Sequence, residues 1–495
     1  MREHVLGRNL YSGIVWAAFV WTIFNCAYVY LLLDGRRPYR IESAAIIVTA
    51  LLLPRALRAG NPLTVRLELT GRQLWILAVA AATTWLLGAV CFLRYPLLSD
   101  DYVFLGLYDD WSHLLHAPEF FRPFFALVFW AARRAGGGSP VAFHLVAIVL
   151  HLGCAGLTYV LARRLHRSPT VAVLCGAIFL LSPLQLEATL WVSGLQELLC
   201  AFFLLAATVV YTRGDAATIG AVLAASPLLV CALLSKETAV AYLLLFPLMD
   251  AALGRMRRLR GVLVPYACLA ALFLAYMMLR RQLVEFDSTF VTAPSRYFIK
   301  QFLTLPYKFF IQPWNAEVLQ VAPLVSVVLC AGALTLVVLG VMNGRVSRRI
   351  LVGPLIVMAT TLPLYSFFFV NADLMAARYL YLPYVGWSIF LCDLLTSVIP
   401  RRAALFAVAA MLIGGSVALL GINIQPWETA AEVISVMRQA VENGEDPSIA
   451  IRRWDSVRQV GLQLRAPGIP IEYKGVNILL NGYPEFVAAF RQDAK

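Results

Sequence analysis

Repeated apolar runs constrain this chain more than any other feature. The run VAFHLVAIVLHLGCAGLTYVLA, from Val141 to Ala162, contains no Asp, Glu, Lys or Arg. A helix needs about 20 apolar residues to cross a bilayer. Runs of this kind recur along the 495 residues, of which 61% are hydrophobic and only 14% charged. Soluble chains carry roughly a quarter charged residues, and the mean hydropathy here is +0.76. The fold class expected is an all-α polytopic membrane protein.

The hydropathy pattern predicts about 13 transmembrane helices. They are Tyr11–Leu33, Glu42–Leu57, Gln73–Leu93, Val141–Arg163, Thr170–Leu181, Thr189–Tyr211, Ala217–Leu234, Thr238–Leu253, Val262–Leu279, Glu317–Val341, Ile350–Val370, Arg378–Leu395 and Ala403–Ile422. Tyr11–Leu33 is too long for a signal-peptide core and lacks a small-residue cleavage site, so it reads as a retained helix. Phe120–Arg134 reads as a partial span or an interfacial helix. The polar tail from Pro426 onward reads as a small α/β unit. Glu428–Asn443 and Pro484–Arg491 are its helices and IPIEYKGVNILL its strand segment. At roughly 70 residues it sits near the lower limit for independent folding, so it is expected to dock on neighbouring loops. Three regions result: additional helices over 1–72, a membrane core over 73–425, and a tail domain over 426–495.

The net charge of +13 comes from Arg in short loops between helices. The loops holding Arg55, Arg58, Arg66 and Arg72, then Arg163, Arg164 and Arg167, then Arg213, fall on one side. So do those with Arg255, Arg257, Arg258 and Arg260, with Arg345, Arg348 and Arg349, and with Arg401 and Arg402. The positive-inside bias makes that side cytoplasmic, with Gly35–Arg40 as the exception. This distribution argues against nucleic acid as a partner. The nine cysteines all lie in apolar segments, as small buried hydrophobes do.

The opposite side then collects five segments. They are LLSDDYVFLGLYDDWSHLLHAPEFFRPFF, Ser182–Gly194, Ser235–Glu237, Val284–Asn315 and Asn371–Tyr379. Acidic and motif-like residues distant in sequence thus share one face. Asp100 and Asp101 could take a proton from a hydroxyl or hold a cation; they could equally start a helix. Asp109, Asp110 and Glu119 read as solvated loop charges. His113 and His116 have i, i+3 spacing but no third metal ligand. Glu187 is either a helix-start carboxylate or part of a site. Gln196 and Glu197 lie two turns into a helix, where an acid should face a cavity or a partner. Lys236 with Glu237 reads as a local ion pair or as a cation awaiting an anionic head group. Arg378 has matching alternatives, a phosphate fork or a snorkelling side chain. His144 and His151 read as packing residues. Acids on one wall of a cavity and cations on another would suit attack by a neutral hydroxyl with a phosphate leaving group.

The ordered motifs SDD, FRPFFALVFWAARRAGGGSPVAFHLVAIVLHLGCAGLTYVLARRL, LSPLQLEATLWVSGLQELLCAFFLL, LLSKETAV and ARYLYLPYVGW span Asp100 to Trp387. In this order they resemble the GT-C superfamily of membrane glycosyltransferases, in particular the branch of O-mannosyltransferases that carry tetratricopeptide repeats. The resemblance implies a GT-C type catalytic core and an inverting sugar transfer from a polyprenyl-phosphate carrier to an acceptor hydroxyl. It implies Asp100 as the base, with Asp101 beside it, and Glu187 as the second acid at the acceptor site, where Gln196 and Glu197, from their place in the helix, join it as candidates. It implies Lys236 and Arg378 as donor-phosphate contacts, and Tyr379, next to Arg378, is a further candidate there. No cofactor is required by this scheme and no metal site is assigned, although paired acids could bind a divalent cation. The acceptor is a lipid, a glycan or a protein, and membrane lipids surround the core. Localisation follows as integral, in a bacterial inner membrane. The N-terminus is then cytoplasmic, and the active site and tail are periplasmic. Three departures stand out: a short mixed tail replaces the repeats, two helices precede the core, and Ser182-Pro183 replaces the expected His-Pro. The rival readings are a transporter or flippase for a lipid-linked sugar, and a non-catalytic assembly factor.

Overall fold

In the computed structural model the described residues are 68–109, 121–255, 259–283, 305–310, 352–364, 370, 374–399, 401–465, 469–479 and 482–492. They are mostly helical, with one small sheet near the C-terminus. Helix α1, Gly71–Phe92, shows why such a chain needs a bilayer. Its start is fixed by a capping box between Thr70 and Gln73, which satisfies donors at the helix end. Leu74, Leu77, Ala81, Trp85, Ala89 and Phe92 form its buried stripe. Yet its other flank is also apolar, with Trp75 67% and Leu87 68% exposed. A helix in water would carry polar residues there.

Helices α2, Asp100–Leu107, and α3, Pro123–Gly136, follow. The long α4, Pro140–His166, packs against α5, Pro169–Leu180. The chain then breaks at Ser182-Pro183 and bends by 52° into α6, Leu186–Leu190. A 3-10 turn over Val192–Gly194 leads into α7, Leu195–Tyr211. Helix α8, Ile219–Leu233, packs against α7 and contains Pro227. A 3-10 segment, Glu237–Ala241, opens α9, Tyr242–Ala252. Then come α10, Leu259–Leu283, α11, Leu305–Phe310, and α12, Val352–Thr361. A 3-10 turn, Ala377–Leu380, precedes α13, Pro383–Val398, which packs on both α12 and α5.

Helix α14, Arg402–Asn423, runs into α15, Gln425–Glu442, as one helical stretch of 41 residues. At 1.5 Å per residue it is ~60 Å long, about twice the hydrocarbon thickness. One half is apolar; the other is amphipathic and buries Trp427, Val433, Ile434 and Met437 against the tail. The tail adds α16, Pro447–Arg458, three antiparallel strands, and α17, Tyr483–Gln492. The strands β1, Gln463–Arg465, β2, Ile469–Tyr473, and β3, Val476–Asn477, pair in sequence order. Lys474 and Gly475, both at positive φ, make the two-residue turn between β2 and β3, as tight hairpins require. Helix α16 and strand β1 are absent from the sequence reading, which recognised α15, the β2–β3 segment and α17.

Ten of the 13 expected spans fall wholly or mainly on described residues. Among the described residues five helices are long and apolar enough to cross a membrane, or six if the bent pair α5–α6 is one span. Part of the difference from 13 lies in expected spans outside the described residues, and the rest has a physical cause. Helix α8 has 15 residues, α9 has 11 and α13 has 16. Prolines and 3-10 turns cut runs that are continuous in hydropathy. The expected spans Tyr11–Leu33, Glu42–Leu57 and Glu317–Val341 lie outside the described residues. So do His113, His116, Asp110, Glu119 and most of Val284–Asn315.

Candidate active site

Ser99 begins the site in a strained backbone conformation, φ +46° and ψ −118°. Such strain in a non-glycine residue persists only where surroundings enforce it. The enforcement is visible here. The Ser99 N–H donates to the Ile478 carbonyl in the tail at 3.1 Å. The Trp191 indole donates to the Leu98 carbonyl at 3.2 Å. Tyr102 packs edge-on against Phe486 and Phe490 of α17. The tail therefore docks directly on the first acidic motif.

The two aspartates that follow are unlike each other. Asp101 is fully buried. One of its oxygens accepts the Leu98 N–H at 2.9 Å. The other accepts both the N–H and the hydroxyl of Ser193. Burial raises its carboxyl to about 7, against those hydrogen bonds and with help from the Asp100 charge. Asp101 thus ties α2 to the Val192–Gly194 turn. That turn needs glycine at its end, because a Cβ on Gly194 would meet the Ala188 carbonyl oxygen at 2.7 Å. Asp100 is half-buried at the start of α2.

Glu187 is buried at the bend of the α5–α6 pair. Its carboxylate accepts the Ala376 N–H at 3.2 Å and the Arg378 N–H at 2.8 Å. It also pairs with the Arg378 guanidinium. Leu374 and Ala376, at the start of the segment that Glu187 grips, sit at φ +68° and +64°. The guanidinium lies 4.7 Å from the Trp191 ring and 4.8 Å from the Tyr379 ring. Lys236 lies 5.2 Å from the same Tyr379 ring and pairs with Glu197. Gln196 accepts from Arg122. Arg122 in turn grips Glu237 through two bonds, 3.0 Å from Nε and 2.6 Å from Nη2. Burial works to raise Glu237, but Arg122 and Lys236 prevail and hold it at about 2.

The result is one connected network drawn from α3, α6, α7, the Lys236–Glu237 corner and the Ala377–Leu380 turn. Glu187, Gln196, Glu197, Lys236, Arg378 and Tyr379 all belong to it, as the sequence pattern grouped them. The arrangement departs from the expectation in one respect. Acids and cations do not face each other across separate walls of an open cavity. They alternate and pair, Glu187 with Arg378, Glu197 with Lys236, Glu237 with Arg122. Lys236 and Glu237, neighbours in sequence, hold different partners. A narrow slot separates Glu187, Pro183 and Ala377 from the Lys474–Gly475 hairpin tip and Trp427.

Arg122 is the residue that sequence reading missed. Its signal is an Arg immediately before Pro123 in FRPFF, inside the stretch expected to be a partial span or an interfacial helix. His151 behaves as expected of a packing residue, with one ring nitrogen 2.7 Å from the Tyr381 hydroxyl and the other 3.1 Å from the Leu180 carbonyl. Asp109 pairs on the surface with Arg133 at 3.0 Å. A separate buried group, Asp250 with Tyr211, Tyr266 and Arg255, is hydrogen-bonded within itself. Among the described residues no three His, Cys, Asp or Glu side chains gather in a way that could hold a metal ion.

Two curated proteins are similar to part of the chain. The protein O-mannosyl-transferase Tmtc1 of Drosophila melanogaster is 33% identical over 31% of this chain and 18% of its own length. The human protein O-mannosyl-transferase TMTC4 is 32% identical over 21% of this chain and 17% of its own length. The chain thus spans less than a fifth of either relative. No family model matches the sequence. No solved structure matches it.

Proposed function

We propose that this protein is an inverting glycosyltransferase that moves a sugar from a polyprenyl-phosphate carrier to an acceptor hydroxyl on the extracytoplasmic face of a membrane. One observation carries the reading. Glu187, Glu197, Lys236 and Arg378, scattered over 192 positions of sequence, lie in one buried polar network, and its Trp191 bonds the Leu98 carbonyl just before Asp100. Buried charges in a membrane protein are costly and concentrate where function needs them. The partial likeness to two O-mannosyl-transferases supports transferase chemistry of this kind.

The chemistry follows from charge. Asp100 accepts the proton of the acceptor hydroxyl as the oxygen bonds to the anomeric carbon. The bond from that carbon to the phosphate oxygen breaks on the opposite side, and the polyprenyl phosphate leaves as an anion. Asp101 positions the turn that carries Asp100. Arg378, Lys236 and Tyr379 take the phosphate by exchanging ion pairs: the incoming phosphate competes with Glu187 and Glu197 for their cations. Such an exchange spares the cost of stripping water from bare charges. Glu187, Gln196 and Glu197, once released, face the acceptor. The scheme needs no cofactor or metal. The acceptor is a lipid, a glycan or a protein.

The test uses purified protein reconstituted in vesicles with a radiolabelled polyprenyl-phosphate sugar and a hydroxyl acceptor. The expected product is a covalent glycoside with inverted anomeric configuration. Movement of intact donor across the vesicle without any glycoside would instead establish the transporter reading.

A further inference from the structure

Tyr276 and Arg280 stand one helical turn apart near the end of α10, so they share a face. Tyr276 is only 7% exposed. Its hydroxyl is buried and has no hydrogen-bond partner among the described residues, and neither has the buried Nε of Arg280. Native proteins rarely strand buried donors. Two on adjacent turns of one face mark a place built for something that accepts hydrogen bonds. The neighbours define its charge. The Tyr276 ring lies 6.2 Å from Phe121, beside Arg122. Its hydroxyl is within electrostatic reach of Arg122, Arg280 and Glu237. Arg281 adds a further exposed cation at the same end.

The surrounding surface says how a guest would arrive. On the same last turns of α10, Leu274 is 56% and Met278 67% exposed, and Leu279 43%. That flank offers hydrocarbon, not water, to an approaching molecule. Two stranded donors, two guanidinium groups nearby and an apolar approach fit an oxygen-rich anion carried on a hydrocarbon chain; Glu237, the acid within reach, is already paired with Arg122. We propose that Tyr276 and Arg280, next to Arg122, form a docking site for the phosphate head of a lipid. Arg offers the fork that phosphate oxygens accept, and the tyrosine hydroxyl supplies a third donor. The binding claim stands by itself. Its assignment as the place where the sugar donor first lodges, before the phosphate reaches Arg378 and Lys236, rests on the proposed function.

The test measures binding without sugar or acceptor, so its outcome is independent of transfer. Full-length protein in a neutral detergent is titrated with a short isoprenyl phosphate, and separately with inorganic phosphate, by calorimetry. Tyr276→Phe keeps the ring against Phe121 and removes only an unpaired hydroxyl, so it should unfold no more easily than wild type. It should nevertheless bind the isoprenyl phosphate about tenfold more weakly. Arg280→Gln should weaken binding by at least as much, and Arg280→Lys by less, because the point charge survives. Unchanged affinity in both Tyr276→Phe and Arg280→Gln would overturn the site. Equal affinity for inorganic phosphate would overturn its lipid specificity. If binding is lost as expected while no transfer is ever seen, the docking site holds and the donor assignment fails.

Discussion

Arg122 donates to both oxygens of Glu237 and also reaches Gln196. Breaking one side of a buried pair leaves an uncompensated charge and costs about 3–5 kcal/mol. Arg122→Gln should therefore lower the unfolding free energy by about that amount, and adding Glu237→Gln should recover most of it. Denaturation of the purified variants in mixed micelles reads both values, and equal losses in single and double variants would contradict the pairing. Asp101 gives a pH signature. The unfolded chain releases this proton near the ordinary 3.8 and the folded chain near 7. The contribution of Asp101 to stability is thus full below about pH 4 and lost as pH rises through 7. Wild type should lose stability over this window relative to Asp101→Asn; a constant difference between the two would contradict it. Residue types were legible in the sequence, since Asp100, Glu187, Glu197, Lys236 and Arg378 all stood out as costly beside apolar runs. Their pairing was not legible. Arg122 and Glu237 are separated by 115 positions, and nothing local distinguishes a partner from a neighbour.

Helices α12 and α13 meet through two glycines. A Cβ on Gly386 would lie 2.5 Å from the Gly353 carbonyl oxygen and 2.7 Å from the Val357 nitrogen. Close backbone approach over small residues is how helices pack in lipid, where no hydrophobic drive separates core from surroundings. Gly386→Val should force the pair apart and cost about 1–3 kcal/mol or more. Gel filtration of the variant in detergent should show lost or aggregated protein, whereas Gly414→Val, at an uncrowded position, should behave as wild type. Equal behaviour of the two variants would argue against this contact. The centres of α1, α4, α10 and α14 were legible as apolar runs. Their partition into full spans and short helices was not, because Pro227 and Pro247 and the 3-10 turns change length without changing hydropathy. The missed α16 has a mostly polar exterior and only Ile451 as a large buried side chain, too weak a periodicity to see.

Taken as a whole, the molecule joins an apolar helical body to a small tail unit through the continuous α14–α15 helix. The tail closes over the first acidic motif by the Ser99–Ile478 bond and over Glu187 by the Lys474–Gly475 tip. The sequence put the tail near the lower limit for independent folding and led to the expectation that it docks; it did not show which loops it covers, since that depends on the backbone of Ser99 and on contacts across more than 370 positions. At this scale the account predicts metal-independent transfer. Both Asp101 oxygens already accept hydrogen bonds, so Asp100 acts without a shared cation, and EDTA-treated protein should retain its rate. A rate restored only by a divalent ion would contradict that part. The central claim is the base. Transfer of radiolabelled sugar by wild type and by Asp100→Asn tests it most directly. The variant should bind donor with unchanged affinity and transfer about 10²–10⁴-fold more slowly. Transfer at the wild-type rate would contradict the account.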